Sequence, residues 1–473
     1  MKKLDLAIVG SGIGGALIAA LNKEKNHILF EKDNNLGGCA STFKRYGNYY
    51  NAGATTFVGY EDNHIIKEIF DEIGFKPDIK ESKIAIRTVQ NGKVLDRIQD
   101  FEQFLAKIDS LYPNKNNRAF WSKIKEIDEK FWQQKDIYFV KHSINAYIKS
   151  LKSFIGLLST FKIDLFKSAS SFIKENLGDI SKEYQSFIDA QLLITVQSKS
   201  KDVSLLSMAL GLSYPFHKVF YANKGMGNII EGILKGVNVQ NNEEIKYIER
   251  LDDGYLLVSN KDKYFAKNVV LNSTIYDTKE LFFDTKIYKY YDSFKFSDQS
   301  AFTLYLTINS KEAFLEHYQI ILNNDIPNCI SNSFFISFSK LEDEKLSKNG
   351  YSVTISSHTK ALFWKNLSKD EYKKEKNRTQ EFLIKEFLAY FDNIRAEEIT
   401  KAFSATSMTF QRYIGRVNCG GSSINAKTIL ATPSCKTPFK GLYNVGDTIF
   451  AGQGWPGVAL GAKVLNKELN ERF

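Results

Sequence analysis

The first fifteen residues constrain the fold more than any other stretch of the chain. Leu4–Val9 is an apolar run long enough for one buried parallel strand, and Gly10, Gly12 and Gly15 follow it in GxGxxG spacing. Ala16–Leu21 is predicted to form the first turns of a helix. In such a strand–turn–helix unit the glycines permit a tight turn, close approach of a pyrophosphate and close helix packing. The stretch therefore predicts a dinucleotide site whose phosphates face the N-terminus of the helix.

A second apolar strand, His27–Phe30, ends in the acidic residue Glu31. A carboxylate at this position accepts hydrogen bonds from a ribose 2′-OH and disfavours a 2′-phosphate. The pair Gly37-Gly38 follows, with the hydroxyl group of Ser41 close behind. This second glycine pair suggests a loop folded over the same dinucleotide. For the N-terminal GxGxxG itself, a glycine-rich turn without a ligand is the alternative.

Composition limits the class of protein. A chain of 473 residues is expected to form two domains, and its 14% aromatic residues suit large apolar cores or an apolar substrate tunnel. The net charge of +10 is dispersed, without a nucleic-acid-binding motif, which favours general attraction to anionic groups, including anionic lipid surfaces. We expect no signal peptide, no membrane-spanning helix and a reduced, cytoplasmic setting. The four cysteines form no CxxC pair, which argues against a zinc knuckle and against a redox-active disulfide; they are Cys39, Cys329, Cys419 and Cys435.

The middle of the chain departs from the Rossmann alternation. Ile84–Gln99 is predicted to be a hairpin with a type I′ turn at Asn91-Gly92, and a second domain is expected to begin near it. Phe101 to Lys201 is mostly helical in pattern. Within it, Tyr147–Leu177 mixes apolar residues with lysines. Ordinary surface helices are one interpretation. The other is an interfacial patch, with insertion by Phe154, Leu157, Leu158 and Phe161 and headgroup contact by Lys149, Lys152, Lys162 and Lys167.

The C-terminal part contains a second strand–turn–helix with an acid at the end of the strand. Leu442–Val445 is predicted to be the strand, Asp447 follows it, and a helix is expected from Val458 onward. Before it, short strands are predicted at 245–248, 255–259 and 264–271, and strands of one antiparallel sheet at 301–308, 330–338 and 351–357. A long amphipathic helix is predicted at 371–391.

These motifs together resemble the FAD-dependent phytoene desaturase and carotenoid isomerase superfamily, which includes retinol saturases. The resemblance extends over nearly the whole chain and is most specific at its two ends. It is carried by GSGIGG, then Glu31, GGCASTF, GNYYNAGAT, KGMGNIIEGI, YSVTISSHT, SMTFQRYIGR, CGGS and GLYNVGDTIFAGQGWPGVALGA.

The resemblance implies an α/β fold: a discontinuous, glutathione reductase-like FAD-binding Rossmann domain with an inserted α+β substrate domain. The FAD-binding domain would comprise residues 1–75, 222–275 and 430–473, and the substrate domain residues 76–221 and 276–429. Two departures stand out, because Cys39 occupies a position that often holds Arg and Asn51 one that often holds Asp. The cofactor-binding residues that the resemblance implies are Gly10, Gly12, Ile13, Gly14, Gly15, Glu31, Lys32, Gly38, Cys39, Ser41, Ile245, Gly446, Asp447, Gly457 and Val458.

By the same resemblance the flavin itself accepts or donates the hydride, and no side chain is carried over as catalytic. The expected function is desaturation, saturation or cis–trans isomerisation of carbon–carbon bonds in an apolar isoprenoid or polyene. A flavin amine oxidase acting on a small amine and a non-enzymatic FAD-bound scaffold are the alternatives. Because there is a single GxGxxG, electrons are expected to exchange with quinone, oxygen or a protein. A bilayer-dissolved substrate also predicts peripheral contact with the anionic inner face of the cell membrane.

Overall fold

A computed structural model of the protein describes residues 1–134, 137–421, 431–452 and 454–471. The strands are β1 (Lys2–Val9), β2 (His27–Phe30), β3 (Thr42–Arg45), β4 (Asn48–Asn51), β5 (Phe57–Val58), β6 (Ile79–Glu81), β7 (Ile86–Gln90), β8 (Lys93–Arg97), β9 (Val219–Ala222), β10 (Val239–Gln240), β11 (Ile245–Leu251), β12 (Gly254–Ser259), β13 (Lys263–Leu271), β14 (Ser300–Ile308), β15 (His317–Ile321), β16 (Ser333–Phe338), β17 (Tyr351–Thr359), β18 (Ile399–Ala405) and β19 (Leu442–Asn444). The α-helices are α1 (Ile13–Leu21), α2 (Ile65–Glu72), α3 (Phe101–Leu111), α4 (Asn117–Trp132), α5 (Ile144–Phe161), α6 (Ala169–Leu177), α7 (Lys182–Val196), α8 (Leu205–Ser213), α9 (Met226–Ile233), α10 (Thr285–Asp292), α11 (Ala361–Lys365), α12 (Lys369–Tyr390), α13 (Ser407–Ile414) and α14 (Gly454–Asn470).

The strand that precedes the N-terminal glycine motif, β1, lies in the middle of the first large sheet. The strand order of this sheet is β10-β2-β1-β13-β12-β11, and β19 pairs with the C-terminal half of β13. The pairs β10–β2, β2–β1, β1–β13 and β13–β19 are parallel, whereas β12 pairs antiparallel with β13 and β11. The C-terminal ends of parallel strands meet at one edge of a sheet. The loops that follow β1, β2, β13 and β19 therefore lie close together at that edge.

The second large sheet has the order β18-β14-β17-β16-β15-β7-β8 and is antiparallel except for the pair β15–β7. The predicted antiparallel pairing of the strands near 301–308, 330–338 and 351–357 is confirmed. The Asn91-Gly92 hairpin is confirmed as well, with φ of 50° and 75° at its turn, and it joins this second sheet through β7. Helix α12 packs on the sheet through buried Leu383 and Phe387.

Two helices begin earlier than the sequence pattern predicts. Helix α1 begins at Ile13 rather than Ala16, so Gly14 and Gly15 lie inside its first turn. Helix α14 begins at Gly454 rather than Val458, because Pro456 is tolerated in a first turn, whose N–H groups need no partner within the helix. As a result both Gly457 and Val458 lie within this helix. The sequence pattern instead predicts Gly457 in a turn before the helix and Val458 at the start of the helix.

Helix α5 carries an apolar face toward solvent. Its inward side packs on the main core through Phe154, Leu157 and the buried ring of Phe161, so three of the four predicted inserting residues are not on the outer face. Both sides of this helix are apolar, which is why sequence periodicity did not separate them. The exposed set, called here the α5 apolar face, is Ile144, Tyr147, Ile148, Leu151, Ile155 and Leu158.

Lysines flank the α5 apolar face unequally. Lys152 and Lys162 are exposed, and neither forms an ion pair with any residue that the structure describes. Lys149 pairs with Glu471, and Lys167 pairs with Glu175 at 2.7 Å. Across the described ranges, no helix is both long enough and apolar enough to cross a bilayer.

Candidate functional site

The glycine motif forms a turn that leads directly into an open helix end. Gly10 has φ +100°, which favours glycine, and its N–H donates to Phe30 O at the tip of the neighbouring strand. Gly12 is the N-terminal cap residue of α1, and no side chain caps this end. The first N–H groups of α1 are therefore available to an anion, as the dipole of the helix also favours.

Asn272, which follows β13, fills the space behind the glycine motif. Its side-chain amide donates to Gly10 O at 3.3 Å. A Cβ atom on Gly12 would lie 2.7 Å from Asn272 Nδ2, and one on Gly14 would lie 2.9 Å from Asn272 Oδ1 and 2.8 Å from Val445 Cγ2. These positions thus need glycine for packing against β13 and β19, in addition to any need to approach a phosphate. Sequence reasoning missed Asn272 because it is 262 residues from Gly10.

Glu31 is held at the end of β2 by the loop that it faces. One carboxylate oxygen accepts the N–H of Ser11 at 2.9 Å and its hydroxyl at 2.6 Å, and the other accepts the N–H of Asp33 at 3.1 Å. The same Ser11 hydroxyl accepts the N–H of Gly37 at 3.0 Å. Ser11 therefore ties together the first glycine motif, the predicted ribose acid and the second glycine pair. The sequence feature that could have identified Ser11 is a hydroxyl residue between the motif glycines Gly10 and Gly12.

The second glycine motif forms a short turn over the first. Gly38 has φ +57°, and a Cβ atom there would lie 3.7 Å from Gly12 Cα. Its carbonyl accepts the N–H of Ser41 at 3.1 Å. Three of the predicted cofactor residues, Gly12, Gly38 and Ser41, are therefore brought together around the open end of α1.

Asn51 has a structural partner that accounts for its presence. Its side-chain oxygen accepts the N–H of Met226 at 2.9 Å and the hydroxyl of Thr42 at 2.9 Å, and Thr42 in turn accepts the N–H of Gly227 at 2.9 Å. These two side chains cap the N-terminus of α9. That helix end is occupied by the protein itself, in contrast with the open end of α1.

Asp447, three residues after the end of β19, forms an ion pair that the sequence did not predict. Both of its carboxylate oxygens lie near Arg416 Nη1, at 3.1 and 2.9 Å. Burial opposes the charge of Arg416, but Asp447 outweighs it and raises the pKa of the guanidinium. Desolvation raises the pKa of the Cys39 thiol to about 12, although the nearby charge of Arg416 opposes this shift. Cys39 is therefore a neutral thiol beside a cation.

The other predicted residues lie at the same edge of the first sheet or in elements that border it. Lys32 follows Glu31 and reaches the loop after α13, where a Cβ atom on Gly415 would lie 3.1 Å from its Nζ. Ile245 is buried at the start of β11, two residues after Glu243, whose N–H donates to Glu31 O. Gly457 packs closely on Gly452, because a Cβ atom on Gly457 would lie 3.0 Å from the carbonyl oxygen of Gly452. Val458 is buried in α14.

This arrangement fits a dinucleotide with a pyrophosphate. An uncapped helix end, a cradle of glycines and an acid one strand away are the features such a ligand requires. FAD would lie across the glycine motif, with Glu31 toward its ribose and Asp447 at the opposite end. Which of these residues contact it remains a prediction.

A separate buried cluster of charges lies outside this edge. His217 Nδ1 is 2.5 Å from Glu61 Oε1, and its Nε2 is 2.6 Å from Asp128 Oδ2. Burial alone would lower the pKa of His217, but hydrogen bonds and charge from Asp128 and Glu61 outweigh it and raise the pKa to about 10. The protonated ring thus links α4 to two loops and has a structural role.

Comparison with known proteins supports the predicted family. The NAD(P)-binding Rossmann-like domain family matches residues 8–73. The chloroplastic prolycopene isomerase of Daucus carota is 24% identical, over 97% of this chain and 78% of that protein. The 4,4′-diapophytoene desaturase (4,4′-diaponeurosporene-forming) of Staphylococcus aureus (strain COL) is 22% identical, over 52% of this chain and 49% of its own length.

Solved structures support the fold in the same way. An oxidoreductase from Methanosarcina mazei is 17% identical, with a TM-score of 0.64 over 98% of this chain and all of that one. Putrescine oxidase bound to putrescine is 13% identical, with a TM-score of 0.64 over 99% of each chain. The predicted FAD-binding Rossmann fold is confirmed, and the isomerase and desaturase relatives confirm the predicted resemblance to the phytoene desaturase and carotenoid isomerase superfamily.

Proposed function

We propose that this protein binds FAD non-covalently and desaturates, saturates or isomerises carbon–carbon double bonds of an apolar isoprenoid or polyene. The observation that carries the proposal is the open N-terminus of α1, framed by glycines and bordered by Glu31 and Asp447. The match to prolycopene isomerase over nearly the whole chain supports this chemistry rather than that of a generic dinucleotide-binding protein. When bound, FAD would supply hydride transfer, and its electrons would be exchanged with quinone, oxygen or a protein.

The chain's own residues would bind and orient the cofactor. Glu31 would accept the ribose hydroxyls, the N–H groups at the start of α1 would face the pyrophosphate, and Asp447 would meet the ribityl chain. Helix α14 would direct its positive N-terminal end toward the flavin, favouring negative charge on the reduced ring. No side chain is assigned a proton-transfer role.

The proposal also divides the chain into an FAD-binding part, residues 1–75, 222–275 and 430–473, and a substrate part, residues 76–221 and 276–429. Support comes from the two large sheets. All strands of the first sheet fall within the FAD-binding ranges, and all strands of the second fall within the substrate ranges.

Two observations test the cofactor and the substrate class separately. Heat denaturation of the purified protein should release a yellow chromophore that elutes as FAD, and colourless protein that takes up no added FAD would contradict the proposal. An untargeted comparison of lipids and pigments between a deletion strain and its parent should reveal an accumulated polyene or isoprenoid. An accumulated amine instead would support the amine oxidase alternative.

A polyene dissolves in the bilayer, so we further propose that the protein docks on anionic membranes through the α5 apolar face. Leu151 and Ile155 are 58% and 55% exposed, well above what burial in a core would leave. Helix α5 contains no acidic residue. Lys152 on α5 and Lys162 directly after it form no ion pair with the part of the chain that the structure describes. Apolar insertion and lysine attraction to anionic headgroups, about 1 kcal/mol per lysine, would act together.

Cosedimentation with anionic vesicles tests this docking. Leu151→Ser with Ile155→Ser should weaken binding roughly a hundredfold, because about 3 kcal/mol of apolar transfer is lost. Leu341→Ser, at an exposed leucine outside α5, is the matched control and should bind normally. Lys152→Gln with Lys162→Gln should weaken binding to the vesicles. The binding that remains should also fall less steeply as the salt concentration rises. Equal sedimentation of all variants, or no binding by the unmodified protein at low salt, would contradict the docking surface.

A further inference from the structure

The second glycine motif has no cation at position 39, and an arginine from a distant part of the chain lies near it. The motif that resembles the superfamily often carries Arg there, and this chain has a cysteine whose thiol is neutral. Arg416 comes from the loop that follows α13, and its guanidinium is near enough to Cys39 for its charge to oppose the rise in the pKa of the thiol. A positive charge thus stands beside the second glycine motif although the motif itself contributes none.

Arg416 is held rigidly in this place. Its Nε donates to Asn418 O at 2.7 Å, its Nη2 donates to Gly420 O at 3.0 Å, and its Nη1 pairs with Asp447. The side chain is 13% exposed. Two backbone carbonyls and a carboxylate therefore fix the plane of the guanidinium, which leaves little orientational entropy to lose when a ligand arrives.

The two loops that Arg416 joins flank the open end of α1. Cys39 follows Gly38, which faces Gly12, whereas Asp447 follows Gly446, whose N would lie 3.1 Å from a Cβ atom on Gly14. The guanidinium pairs with Asp447 at 2.9 Å, and its charge acts on Cys39, so it lies between the two loops. Lys32 Nζ approaches the neighbouring Gly415, so a second positive charge is close to the same loop.

We infer that Arg416 is a cofactor-binding residue that supplies, toward the pyrophosphate–ribityl part of FAD, the positive charge that position 39 lacks. This inference rests on the proposed function, since it assumes that FAD occupies the glycine cradle. A guanidinium suits the task because it is permanently charged and offers several donors to phosphate oxygens. Asp447 orients it and offsets its charge before the cofactor binds.

The test is FAD affinity of the apoprotein, measured by flavin fluorescence, together with a rescue. Arg416→Gln should weaken FAD binding about ten- to a hundredfold, the range for loss of a charge-assisted hydrogen bond. Adding Cys39→Arg to Arg416→Gln should restore most of the affinity, because the cation returns beside the same loop. Arg412→Gln, at an exposed arginine of α13, is the matched control and should change nothing.

A further variant and a second readout keep a folding defect apart from a lost contact. Arg416→Lys keeps the charge beside Asp447 and should bind FAD more weakly than the unmodified protein but more tightly than Arg416→Gln. Urea unfolding of each apoprotein identifies any variant that is misfolded. Unchanged affinity in Arg416→Gln, or a loss in a folded variant that Cys39→Arg does not reverse, would overturn the inference. Failure of the unmodified protein to bind FAD would instead overturn the proposed function.

Discussion

The substitution Gly12→Ala separates the packing role of the glycine motif from its role in cofactor binding. The backbone of Gly12 has φ −57° and ψ 171°, which alanine adopts without strain. The cost of the added methyl group therefore comes from contact, because it would lie 2.7 Å from Asn272 Nδ2. Overpacking of this kind costs about 1–3 kcal/mol of unfolding free energy.

Removing the colliding side chain should reverse that cost. Asn272→Ala alone loses one long hydrogen bond to Gly10 O and should cost about 1 kcal/mol. In the double variant the methyl group meets no amide, so the combined loss should fall about 1–2 kcal/mol short of the sum. FAD affinity should behave differently, since the methyl group still stands where a pyrophosphate must approach the backbone.

Urea unfolding of the apoprotein, followed by tryptophan fluorescence, measures the first quantity, and FAD titration measures the second. The expected pattern is a double variant that is more stable than additivity allows and still binds FAD poorly. Strictly additive stabilities would refute the packing argument. Tight FAD binding by the double variant would refute the placement of the pyrophosphate at Gly12.

Two further predictions concern single side chains. Glu31→Ala should weaken FAD binding about ten- to a hundredfold by removing the ribose acceptor, whereas Glu244→Ala, at a half-buried acid nearby, should not. Equal affinities of the two variants would show that Glu31 does not meet the ribose. Because the pKa of His217 is raised from 6.5 to about 10 in the folded chain, its stabilisation is complete below pH 6.5 and is lost as pH rises toward 10. The unfolding free energy of the unmodified protein should therefore fall more steeply between pH 7 and 9 than that of His217→Gln, by about 2 kcal/mol, and parallel curves would contradict the buried ion cluster.

The parts of the fold that the sequence predicted depend on neighbouring residues. The strand–glycine–helix unit at the N-terminus, the Asn91-Gly92 hairpin and the strand ending near Asp447 each have a local cause, a tight turn or a short apolar run. Tertiary contacts decided the rest. Asn272 and Arg416 reach the candidate site from far along the chain, and no local sequence pattern predicts the role of either residue.

Helix boundaries and faces show a related limit. Glycines in α1 and a proline in α14 masked the true starts of these helices, since both residue types are tolerated in a first turn. In α5 both faces are apolar, so only the packing of Phe154 and Leu157 on the core revealed which residues face solvent. The predicted cofactor contacts themselves follow from the resemblance, and they await the binding experiments above.

The most direct test of the central claim is turnover of a polyene by the FAD-loaded protein. The protein, with its flavin either oxidised or reduced under anaerobic conditions, is incubated with a poly-cis-carotenoid in anionic vesicles, and the pigments are separated with spectral detection. We expect a change in double-bond geometry or number that requires FAD and is absent in Gly12→Val, where a side chain occupies the place of the pyrophosphate. FAD-loaded protein that leaves polyenes unchanged but oxidises a small amine with release of hydrogen peroxide would contradict the account.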